Sequence, residues 1–164
     1  MGDAHAPTRR HTARLRIERA KYIANYVFPT SSRFKLDQAY PHLSGEQVGT
    51  ILQGLRVWFQ LVAANPRALL GMPSSAVDTA WHAFILLTQN NADFCGKAFA
   101  KFLHHTPYSA SDKAQQDGPA RTYGLGMRLV GGAALVSRVV NFGTRKVPNF
   151  RVRLGAKHYT SCLL

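Results

Sequence analysis

Between Ser44 and Phe102 the apolar side chains return every third or fourth residue. That period belongs to helices, in which residues one turn apart share a face; strands place alternate residues on opposite faces. Ile51, Leu52, Leu55, Trp58, Phe59 and Val62 form one stripe. Val77, Ala80, Trp81, Phe84, Ile85 and Thr88 form a second, and Phe94, Cys95, Ala98, Phe99 and Phe102 a third. A looser set, Leu15, Ala20, Ile23, Ala24 and Val27, predicts a helix over 10–27. No alternation is long enough for a sheet, and no internal repeat is present. The expected fold is mainly α: a small helical domain with a central antiparallel helix hairpin around residues 75–105, and an irregular basic C-terminal segment.

Punctuation residues set the expected boundaries. Pro29 stops the first helix, and a short helix over 32–40 ends at Pro41. Ser44-Gly45-Glu46-Gln47 has capping-box spacing, and Ser75-Ala76-Val77-Asp78 offers a second box. Asn65-Pro66 closes the helix that Ser44 opens, and residues 67–73 are a connector. Asn90 and Asn91 suggest a turn before a helix over 92–103. The polar tract 106–122, with Pro107, Asp117-Gly118 and Pro119, reads as a loop. Beyond it, 129–140 is expected to be a helix and 152–154 a short strand or extended chain. The expected organisation is a flexible leader (1–9), a helical core domain (10–107) and a basic, Gly-containing C-terminal segment (108–164).

With 164 residues, 46% of them hydrophobic, the chain has material for one well-packed domain. Its formal charge of +13 is unevenly spread. Residues 23–120 carry seven Lys/Arg against six acids, whereas residues 121–164 carry eight Lys/Arg and no acid. Basic ends around a near-neutral centre favour an anionic partner such as nucleic acid. No apolar run is long enough for integral membrane insertion. Two cysteines, Cys95 and Cys162, cannot build a disulfide framework, and the N-terminus lacks a secretory pattern, so a cytoplasmic setting is expected.

One cluster carries groups able to do chemistry. Asp78 and His82, four apart on a predicted helix, share a face. Cys95 lies on the next predicted helix, and His104 and His105 close it. Carboxylate, imidazole and thiolate all ligate zinc or another divalent metal. The same residues also fit a purely structural role: Asp78 at a helix N-terminus, Cys95 in the core, imidazoles at a helix C-terminus. Spacing alone leaves both open.

Other chemistry is less supported. The glycines from Gly124 to Gly132 miss the dinucleotide-binding pattern, because Leu129 stands where its last glycine belongs, and no Walker sequence is present. No nucleophile has a base at recognisable spacing, so a non-catalytic domain is expected. The alternative expectation is nucleic-acid binding, RNA more than DNA, through Arg145, Lys146, Phe150, Arg151, Arg153, Lys157 and Tyr159. There the cations would meet phosphates and the rings would stack on bases.

The run Met72-Pro-Ser-Ser-Ala-Val-Asp-Thr-Ala-Trp-His-Ala-Phe-Ile-Leu86 resembles the bacterial branch of the glycine-rich domain-containing-protein-like family. Phe94-Cys95, Phe102-Leu-His-His-Thr-Pro107, Tyr40-Pro-His-Leu-Ser44 and Gly54-Leu-Arg-Val-Trp-Phe59 extend the resemblance over about residues 10–107. Asp78, Trp81, His82, Cys95, His104 and His105 match the family pattern, and RNA binding is suggested for some of its members. It implies no established catalytic activity.

Overall fold

The computed structural model describes residues 9–105 and 117–129. They form six helices: α1 (Arg9–Asn25), α2 (Thr30–Ala39), α3 (Gly45–Ala64), α4 (Ser75–Ile85), α5 (Thr88–Phe99) and α6 (Gly118–Leu129). No strand occurs among the described residues, so the protein is mainly helical, as the 3–4 residue period implies. The expected leader up to residue 8, the helix over 129–140 past its first residue, and the extended 152–154 lie outside the described residues.

α3 contributes most to the core. Ile51, Leu55, Trp58 and Phe59 of the expected stripe are buried, and Leu52 and Val62 pack partly buried against them. The ring of Phe59 sits 4.7 Å from Phe94, 5.3 Å from Trp81 and 6.0 Å from Phe99, so α3 meets both α4 and α5 through one side chain. Burying each ring of this size stabilises the fold by roughly 1.5–3 kcal/mol. Ser44 caps α3 with both halves of its capping box: Gln47 N–H donates to Ser44 Oγ, and Ser44 N–H donates to Gln47 Oε1 at 2.8 Å.

Three expectations shift in register. In α1 the expected stripe is displaced: Ala20, Ala24 and Val27 are exposed, and the helix packs through Tyr22, Ile23 and Tyr26. The tyrosine rings, not the alanines, reach the core, with Tyr26 4.6 Å from Phe94. The cap of α4 is Ser74, whose Oγ accepts from Val77 N–H, so Ser75 is the first helical residue and the second capping box does not form. The turn between α4 and α5 falls at Leu86–Leu87, and Asn91 is buried inside α5.

α5 also ends earlier than expected, at Phe99, because Ala100 adopts the left-handed conformation with φ 57°. From there residues 101–105 run without regular structure. The tract expected to be a loop contains the start of α6. Pro119 is tolerated in its first turn, where no intrahelical donor is lost. The helix is held by tertiary contacts that its Gly-Pro start does not advertise. A Cβ on Gly118 would lie 2.8 Å from Gly71 N, so only glycine allows the two backbones to meet. Gly71 O then accepts from Thr122 Oγ1 at 2.7 Å and from Trp58 Nε1 at 3.0 Å.

Candidate metal centre

Asp78 and His82 sit in successive turns of α4, on the edge left by a face that buries Val77, Ala80, Trp81 and Phe84. The Ser74 cap fixes the first turn and with it the position of Asp78. His82 Nδ1 lies 2.8 Å from the main-chain oxygen of Asp78. A carbonyl can only accept, so Nδ1 carries the proton and the lone pair of the neutral ring is on Nε2. This is the arrangement in which metal-binding histidines are commonly oriented, with one ring N–H donated to a backbone carbonyl.

His105 arrives from a different element. After the left-handed residue Ala100, the chain returns to the core at Leu103 and brings the His105 ring to 4.5 Å from that of His82. Asp78 lies against both imidazoles. Its Oδ2 is 3.5 Å from His82 Nδ1, and its Oδ1 is 4.0 Å from His105 Nε2. The second distance is too long for a hydrogen bond. One ligand atom from each of Asp78, His82 and His105 lies within 4.8 Å of the other two. Around a tetrahedral zinc with bonds near 2.0–2.2 Å, ligand atoms stand about 3.3 Å apart. Closing onto a cation therefore asks for side-chain shifts of about 1 Å, within reach of small torsional changes.

Burial lowers the affinity of His105 for a proton, the neighbouring His82 lowers it further, and Asp78 acts in the opposite sense. Its ring is thus held neutral near pH 7, the form that ligates a metal without first losing a proton. The three side chains are partly open: 42% for His82, 25% for His105 and 22% for Asp78.

The other two expected ligands stand elsewhere. Cys95 is fully buried on the core side of α5, and its thiol donates to Asn91 Oδ1 at 3.5 Å. Burial pushes that thiol up, partly offset by a backbone hydrogen bond at Leu103, so it is not a ready thiolate. Asn91, read from the sequence as a turn residue, is its partner; the i, i+4 spacing of Asn91 and Cys95 was the available signal. His104 is exposed and packs edge-on against Phe102, 4.9 Å away. Neighbouring residues of an irregular chain point to different sides, which separates His104 from His105. Arg145, Lys146, Phe150, Arg151, Arg153, Lys157 and Tyr159 lie outside the described residues.

Among known proteins, the model of one family, described as UCP032817-like, matches residues 18–126. The match takes in the whole of the Asp78, His82 and His105 group and most of α6. No curated protein matches the chain, and no solved structure does.

Proposed function

The chain belongs to the UCP032817-like family, and from that premise we propose that it is a non-catalytic helical domain that binds a divalent transition metal, zinc foremost, through Asp78, His82 and His105. The observation that carries this reading is the convergence of two imidazoles and one carboxylate from two separate elements, with ligand atoms mutually within 4.8 Å. One further feature supports it: burial lowers the proton affinity of His105, which favours the neutral, ligating form of its ring. Mixed nitrogen and oxygen donors of this kind suit zinc and its first-row neighbours.

The test uses full-length protein purified without a histidine tag. Titration calorimetry with zinc is expected to give one equivalent bound. His82→Ala and His105→Ala abolish it, whereas His104→Ala and Cys95→Ala leave it intact in variants whose circular dichroism is unchanged. Free zinc at 100 times its dissociation constant is expected to stabilise the wild type by about 2.7 kcal/mol. Wild-type protein that binds no zinc overturns the proposal; so does equal loss on Cys95→Ala and His105→Ala.

The charge of residues 121–164, eight cations and no acid, favours a second reading in which this segment binds single-stranded RNA. Its signature is an affinity for a mixed-sequence RNA that falls steeply with salt. Binding that survives removal of residues 130–164, which carry six of those eight cations, overturns it.

A further inference from the structure

Three protein ligands do not satisfy a transition metal. Zinc takes four in closed structural sites, and sites with three protein ligands keep the remaining position for water or another external group. Among the described residues the group is limited to Asp78, His82 and His105. Cys95 is turned into the core and His104 toward Phe102, so neither of these two adds to the group. The site is also reachable, since 42% of the His82 side chain faces solvent. A divalent ion held by one carboxylate and two neutral imidazoles keeps a formal charge of about +1, which favours an anion over a neutral ligand at the remaining position.

Resting on the metal reading above, we propose that the Asp78–His82–His105 centre is an open one whose external ligand is a small anion, for which acetate is the probe. The anion replaces metal-bound water; no covalent bond of the protein changes. The anion binds only to the metal-loaded protein, and the metal binds more tightly in its presence, because the two equilibria are reciprocal.

Cobalt(II) is the probe, since its visible bands report coordination directly. Full-length protein loaded with one equivalent of cobalt is titrated with sodium acetate, and in parallel with sodium perchlorate at matched ionic strength. The expected result is a saturable change in the position or intensity of the visible bands with acetate and none with perchlorate. Acetate is also expected to strengthen cobalt binding in wild type. Bound cobalt with bands that acetate does not move means the chain itself fills the shell, and overturns this inference while leaving the metal reading standing. Cobalt that does not bind, or binds equally well to His105→Ala, overturns the metal reading and this one with it.

Discussion

Asp78 Oδ1 and His105 Nε2 lie 4.0 Å apart, although one residue belongs to the first turn of α4 and the other follows the end of α5. The same carboxylate presents its other oxygen to His82, 3.5 Å away. A single acid thus faces two imidazoles whose rings are 4.5 Å apart. Burial first, and then the neighbouring His82, lowers the affinity of His105 for a proton.

A pH dependence of stability follows for the metal-free protein. The folded His105 holds a proton less tightly than its ordinary value of 6.5 allows, because of burial and then His82, with Asp78 opposing. Below that value the unfolded chain takes up the proton first, so stability falls as pH drops through the window beneath 6.5 and is unaffected above it. Urea midpoints in the presence of a chelator, taken between about pH 7.5 and about pH 5, should fall more for wild type than for His105→Gln. Equal slopes in the two proteins would show that His105 does not carry this pH dependence.

The helix cap that positions Asp78 is Ser74 and not Ser75. Ser74→Ala removes the acceptor for Val77 N–H and is expected to cost about 1 kcal/mol. Ser75→Ala, at an exposed first helical position, should change stability by less than about 0.5 kcal/mol. Because the frayed turn carries Asp78, zinc affinity should weaken in the first variant alone. Chemical denaturation and calorimetry on the pair check both statements.

Two glycines of α6 should respond in opposite directions to alanine. At Gly118 a Cβ meets the Gly71 backbone at 2.8 Å, so the helix must lift from its seat and Thr122 loses its 2.7 Å bond to Gly71 O. A loss of about 1–3 kcal/mol is expected. At Gly124 nothing lies within 4 Å, and alanine should gain about 0.5–1 kcal/mol from helix propensity. Urea unfolding followed by tryptophan fluorescence suits the comparison, since Trp58 also donates to Gly71 O. A destabilised Gly124→Ala or a neutral Gly118→Ala would contradict this seating of α6.

Ala100 is the one non-glycine residue among those described with a positive φ, at 57°. An alanine there costs about 1–2 kcal/mol against its preferred conformations. Ala100→Gly relieves that cost and adds freedom to the unfolded chain, for a net gain of about 0.5–1 kcal/mol. The turn itself is retained, so zinc binding should stay at wild-type strength. A lower thermal midpoint for Ala100→Gly would mean that the alanine methyl makes a stabilising contact.

The sequence by itself determined the helical class, the α3 stripe, the Ser44 capping box and the pairing of Asp78 with His82. Each depends only on spacing within about two turns, where the 3.6-residue period fixes which side chains share a face. The sequence also placed Cys95, His104 and His105 in the neighbourhood, but it could not rank them. That ranking depended on where α5 stops, and it stops at an alanine whose left-handed turn no residue type announces. Asn91 went from expected turn to core partner of Cys95 because the α4–α5 break lies earlier, at Leu86–Leu87, where no polar or glycine residue marks it. α6 was hidden more completely. Its Gly-Pro start and its three glycines, Gly118, Gly124 and Gly126, favour a loop in isolation, and the helix exists where Gly118 closes on Gly71 and Thr122 and Trp58 share one carbonyl. Local periodicity is written in adjacent residues; which of several candidate ligands meet is decided by contacts between segments far apart in the chain, and only the packed tertiary structure brings those to one place.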